Sequence, residues 1–195
     1  MKLELAMCAA LAVFIARPAA QEANEGSQWK PFQFKGNERY EFKLVMDEGG
    51  SEKETGFGLD IRKKADDESF DVTWSIKSNL RKEELNEQTM LVGWASAAPA
   101  YVMMNPMYAM FVNDLELKEG AKLSVLGAMT VKVTGKETVG GRTGFICQLL
   151  QKAGDQETLA WQWTVDPELA LPIKSLVYSG DQVSARAELT SYKKD

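Results

Sequence analysis

The sequence predicts a mainly β fold of the α+β type, with about eight to ten antiparallel strands interrupted by one methionine-rich insertion. Three observations carry that expectation. Apolar residues recur at every second position through most of the chain, as in strands with one covered face. Glycine, aspartate and proline punctuate these runs where hairpin turns would fall. Between residues 90 and 112 the alternation lapses into a continuous apolar stretch.

Tyr40, Phe42, Leu44 and Met46 alternate with Glu41, Lys43 and Val45 and predict the first clear strand. Asp47-Glu48-Gly49-Gly50-Ser51 turns the chain. Phe57, Leu59 and Ile61 begin a second strand, and Phe70, Val72, Trp74 and Ile76 form a third with the cleanest alternation. The three read as a meander. Arg81 to Leu91 is charged and suits either a helix or an outer strand.

From Met90 to Val112 the chain is rich in methionine. Pro99 suits the first turn of a helix, whereas Pro106 would break one running through it. Short helical pieces with an irregular break at Asn105-Pro106 are therefore expected.

Strands resume at Lys122–Val125 and Met129–Val133 around Gly127, and Gly140-Gly141 makes a tight turn. Thr143 to Leu150 is nearly continuously apolar, which predicts a strand covered on both faces. Leu159, Trp161, Trp163 and Val165 alternate with Ala160, Gln162 and Thr164. Asp166-Pro167 ends that strand, and Leu171-Pro172 introduces another running through Tyr178. Gly180-Asp181 turns into a last run, Val183 to Tyr192.

The chain has 195 residues, 45% of them hydrophobic, enough for one domain with a sizeable core. The formal net charge is -5, and no dense cluster of Lys and Arg occurs, so a nucleic-acid partner is excluded. The longest basic run, Arg62-Lys63-Lys64, is followed by Asp66-Asp67-Glu68 and reads as a solvated turn. Residues 1–20 have the form of a secretory signal: Lys2, an apolar stretch from Leu5 to Ala16, and Pro18-Ala19-Ala20 before the cut. The apolar run is short for a bilayer, so no stable transmembrane anchor is expected. Residues 21–28 read as a flexible leader, and 29–195 as a single β-rich domain.

Cys8 falls in the signal, which leaves Cys147 as a lone cysteine without an internal disulfide partner. Its apolar surroundings predict a buried structural thiol.

The absence of histidine removes Ser-His-Asp and Cys-His catalysis and the commonest transition-metal ligand. Ser75 and Lys77 alternate with apolar residues on one strand and read as its wet face, not as a nucleophile and base. Gly56-Phe57-Gly58 and Gly140-Gly141 lack the strand-to-helix context of a phosphate loop. No metal or cofactor motif occurs, and the expectation is a binding protein that is not an enzyme.

Two features point to a ligand-binding surface. Met90, Met103, Met104, Met107, Met110 and Phe111 suit either a cavity lining or lid for an apolar ligand, or ordinary core packed on the sheet. The same alternatives hold for Phe42, Phe57, Trp74, Trp161 and Trp163, which would face a cavity or a filled interior.

The order of features from Tyr40 onward resembles bacterial periplasmic half-barrel proteins. These include the lipoprotein-localisation carriers, the lipid-carrier lipoproteins and related domains of unknown function. The segments that carry the resemblance are Phe34 to Phe42, Val133 to Val139 with Gly144 to Cys147, Trp163 to Lys174, and Ala187 to Tyr192. The strand ending in Asp166-Pro167 and restarting at Leu171-Pro172 is its most specific part. The resemblance implies a strongly curved antiparallel sheet or half-barrel, with helical segments in its concave side, in the place of residues 90–112. It also implies a location in the periplasm or outside a bacterial cell.

Two functions follow as expectations. One is an exported carrier sheltering a lipid or other apolar ligand; hiding a sixteen-carbon chain from water is worth about 12 kcal/mol and demands a continuous apolar cavity. The other is an envelope protein–protein interaction module, which predicts a filled interior and an exposed apolar edge or patch.

Overall fold

The computed structural model describes residues 26–47, 50–66, 69–79, 82, 115–125, 127–153 and 156–195. Their strands, in chain order, are β1 (Ser27–Gln28), β2 (Glu38–Asp47), β3 (Glu52–Lys63), β4 (Phe70–Ser78) and β5 (Glu116–Leu117). They continue as β6 (Lys122–Val125), β7 (Met129–Val139), β8 (Arg142–Ala153), β9 (Gln156–Val165), β10 (Lys174–Ser179) and β11 (Gln182–Lys194). β1 comprises the last two residues that the composition assigns to the leader. The described segments contain no α-helix; the helical pieces expected between 90 and 112, the charged stretch before them apart from Lys82, and the signal segment lie outside the described residues.

Nine strands form one antiparallel sheet in the order β4-β3-β2-β11-β10-β9-β8-β7-β6, and β1 pairs with β5 apart from it. The order follows from two runs of hairpins, β2 to β4 and β6 to β11. They join where the first and last long strands pair, with Tyr40 opposite Tyr192 and Leu44 opposite Ala187. The sheet is curved and open, not a closed barrel.

Bulges account for much of the bending. The register slips between Val133 and Gly135, Leu149 and Leu150, Val177 and Tyr178, and Leu189 and Ser191. Each slip inserts an unpaired residue that kinks its strand and raises the local twist. The curl brings the β7–β8 turn against β11, four places away and about 19 Å distant in a flat sheet. Gly140 sits there at φ 58, where a Cβ would stand 2.5 Å from the Leu189 carbonyl oxygen. By contrast β2, β3 and β4 pair without a slip from Glu38 to Asp47 and from Thr55 to Lys63.

Alternation decides which side chains meet. One cluster joins Val131, Val133, Phe145, Cys147, Leu149, Trp163 and Val165 with Trp29, Leu115 and Leu117. A second joins Tyr40, Phe42, Leu44, Phe57, Leu59, Ile61, Ala187 and Leu189 with Leu169, Leu171 and Ile173. Large side chains buried this fully each contribute about 1.5–3 kcal/mol.

One strand departs from expectation. In β8, Phe145, Cys147 and Leu149 are buried, whereas Ile146, Gln148 and Leu150 are only half-covered. The strand is therefore one-sided, because the described residues place no layer on its outer face.

Candidate functional site

The inner face of the sheet is the place where a carrier would hold its ligand. Phe42 and Phe57 stack there with ring centroids 6.3 Å apart, each almost fully buried. Trp163 is fully buried, and Trp161 packs edge-on against it at 6.1 Å while its indole N–H donates to Ser175 Oγ at 2.6 Å. These four residues do share the inner face, but they divide between the two clusters, and protein atoms already cover all of them except half-buried Trp161.

Two segments supply the cover. The β9–β10 connection, 166–173, places Leu169, Leu171 and Ile173 in the second cluster. The N-terminal segment places Trp29 in the first cluster, Phe34 against the second and Phe32 against both. Backbone bonds lock the two segments together and to the sheet. Phe32 N–H donates to Ala170 O at 2.8 Å, and Leu189 N–H donates to Ile173 O at 2.8 Å. The 166–173 stretch reads in sequence as a turn between strands, yet its run of Leu169, Ala170 and Leu171 is the apolar signal of a segment turned inward.

A polar cluster closes one end of this interior. Buried Glu38 accepts hydrogen bonds from Lys35 N–H and Tyr40 O–H, both at 2.5 Å. Arg142 Nε donates to Asp166 at 2.6 Å and Nη2 to Glu168 at 2.9 Å, with the guanidinium 5.4 Å above the Tyr192 ring. Burial, reinforced by Glu38, pushes the Tyr40 phenol far above its ordinary range and Tyr192 up to about 12. Both phenols therefore stay neutral, which suits a structural cluster better than proton transfer near neutral pH. Cys147 is fully buried and burial pushes its thiol far up, the opposite of an activated nucleophile. Among the described residues, no group of three Cys, Asp or Glu side chains stands close enough to hold a metal.

Described residues of the outer face line recesses of about 210 and 130 Å³. Both are smaller than the roughly 300 Å³ at which small-molecule pockets begin. The larger has Val45, Leu176 and Val183 ringed by Asp47, Glu52, Lys174, Arg186 and Glu188. Charges of both signs give it no preference for an ion. Near it, Glu137 receives Lys174 Nζ at 2.9 Å and also bonds Thr164 Oγ1. Glu137 faces Gly144, whose missing side chain opens the way across β8 to those partners.

β4 differs from every other long strand. Among the described strands it is the terminal one of the sheet, and Phe70, Val72, Trp74 and Ile76 are 39–53% exposed. They lie on the same face as the buried residues of β3: Ile76 opposes Phe57, Trp74 opposes Leu59, and Val72 opposes Ile61. The inner apolar surface thus continues past the cover of the 166–173 segment and emerges at the edge. Among the described residues, Trp74 meets the interior through the Phe57 ring, at 5.9 Å, and does not join the other four aromatic residues in an enclosed cavity. Ser75 and Lys77 lie on the opposite face, with Gly58 and Gly56 as their partners on β3. At the other end of the sheet β6 is only 4 residues long, a common way of blunting an edge. β4 has 9 residues and contains neither proline nor bulge.

Sequence reading identifies Phe70 to Ile76 as a strand and selects Trp74, but not the strand's position at the edge. Met90, Met103, Met104, Met107, Met110 and Phe111 lie outside the described residues. No described helix is long and apolar enough to cross a membrane.

No family model and no curated protein matches this sequence. Among solved structures, the MucA/MucB complex of Pseudomonas aeruginosa is similar, with a TM-score of 0.41 and 14% identity over 80% of this chain and 51% of that chain. This chain thus spans about half the length of the chain it matches.

Proposed function

We propose that this protein is an exported, non-enzymatic interaction module that receives an extended segment of another polypeptide chain along the edge of β4. The observation that carries the reading is the exposed apolar row Phe70, Val72, Trp74 and Ile76 on a long, regular terminal strand. A terminal strand offers a line of backbone donors and acceptors to an incoming strand, while the side-chain row offers alternating apolar contacts. The inner face supports the same reading from the other side. Leu169, Leu171, Trp29 and Phe32 occupy the space that a carrier would leave for acyl chains.

A photo-crosslinking residue at position 74, compared with one at outward-facing Thr134, tests the reading in cells that produce the protein. The expected result is a discrete protein adduct at 74 that is absent at 134. Adducts to lipid at 74, or stoichiometric uptake of a fluorescent fatty acid displaced by palmitate, would instead establish the carrier function.

A further inference from the structure

The two charged residues of β4, Asp71 and Lys77, have opposite signs and stand at equal distances in sequence on either side of Trp74. An antiparallel strand laid against β4 so that Trp74 faces its own counterpart sets Asp71 opposite Lys77 at both ends. That register is the one in which a second β4 pairs both charges. It also sets Val72 opposite Ile76 and Thr73 opposite Ser75, so apolar meets apolar on the inner face and hydroxyl meets hydroxyl on the outer. Directly opposed side chains in such a pair stand about 4.5–5.5 Å apart, close enough for both charge pairs to form. The side chain of Asp71 is 68% exposed, and its bond to Lys64 at 3.0 Å lies on the surface, so it can turn to a new partner.

We infer that the partner at this edge is a second copy of the same chain, joined two-fold through antiparallel β4–β4 pairing centred on Trp74. The inference rests on β4 being an open docking edge, as proposed above, and adds the identity of the occupant. Pairing joins two nine-stranded sheets into one continuous sheet and removes the exposed end of each. The unbroken β2–β3–β4 register matters here, because a bulged or twisted edge would meet its copy over only a few residues.

Charge exchange in the purified protein, followed by sedimentation velocity over a range of concentrations, tests the inference. The native chain is expected to dimerise reversibly. Asp71→Lys faces lysine with lysine twice in its homodimer, and Lys77→Asp faces aspartate with aspartate twice. Each is expected to weaken self-association by on the order of tenfold. An equimolar mixture of the two variants restores both attractive pairs and should dimerise as the native chain does, as should the double exchange Asp71→Lys/Lys77→Asp. A dimer indifferent to these exchanges would overturn the register and with it the inference. A chain that stays monomeric throughout would overturn the second copy as occupant. In that case amide exchange across 71–77 separates the two proposals. Rapid exchange leaves β4 an open edge for a different protein, whereas protection equal to that of β2 shows the edge already covered within the chain and removes both.

Discussion

The indole N–H of Trp29 donates a 2.7 Å hydrogen bond to the carbonyl oxygen of Leu169. Both residues are almost completely buried, so the bond ties the N-terminal segment to the β9–β10 connection beneath the sheet. It helps to turn what could be a ligand cavity into a packed interior. Trp29→Phe, which keeps most of the ring, is expected to lose about 1 kcal/mol of stability from the missing bond. Trp29→Ala also leaves a void and should lose about 3–5 kcal/mol. Urea denaturation followed by circular dichroism measures both.

Arg142 holds the other closure of the interior. Its guanidinium bonds Asp166 and Glu168 from a side chain only 18% exposed. Arg142→Ala strands the buried Asp166 carboxylate without its cation and is expected to cost about 3 kcal/mol. Arg142→Lys keeps the charge but loses the two-pronged geometry, and should fall between the native chain and the alanine variant on the same denaturation assay.

Stability should fall on the alkaline side. The folded chain holds protons on Cys147, Tyr192 and Tyr40 that the unfolded chain releases, because burial raises all three groups. Their contribution is complete below pH 9.0, the ordinary value for the thiol, and declines above it; the phenols add to the decline above 10.0. A single fully buried group gives a slope of about 1.4 kcal/mol per pH unit. Cys147→Ala removes the first part of the decline, so its urea midpoint should stay level until about pH 10, the ordinary value for tyrosine.

Much of the architecture was legible in the sequence because strands announce themselves by period-two alternation. Tyr40-Phe42-Leu44, Phe57-Leu59-Ile61 and Trp161-Trp163-Val165 all bury the residues that the pattern selects, apart from partly covered Trp161. Composition misled at Thr143 to Leu150, where Ile146 and Leu150 are apolar but only half-covered. The candidate site was less legible. Whether Trp74 lines a cavity or an edge depends on which strands lie beside β4. Strand order is set by the long-range pairing of β2 with β11, which no local pattern encodes. Likewise, 166–173 has the residues of a turn, and its role as a plug depends on Trp29, Phe32 and Tyr40 meeting it from distant parts of the chain.

The β7–β8 turn provides a test of the curl. Gly140 and Gly141 both have positive φ, at 58 and 79, so alanine at either is strained by about 1 kcal/mol. Only at Gly140 would the added methyl also strike the Leu189 carbonyl of β11, whereas Gly141 faces open space. Gly140→Ala should therefore lower the thermal midpoint clearly more than Gly141→Ala. Equal losses would mean that the turn does not rest on β11.

The central claim is that β4 is an open edge on a sheet whose inner face is already filled. Hydrogen–deuterium exchange by mass spectrometry on dilute protein, comparing peptides from 70–78 with those from 38–47, tests it most directly. The expected result is that about half of the β4 amides, those pointing away from β3, exchange at unprotected rates while β2 remains protected on both sides. Protection of β4 equal to that of β2 in the dilute protein would contradict the claim.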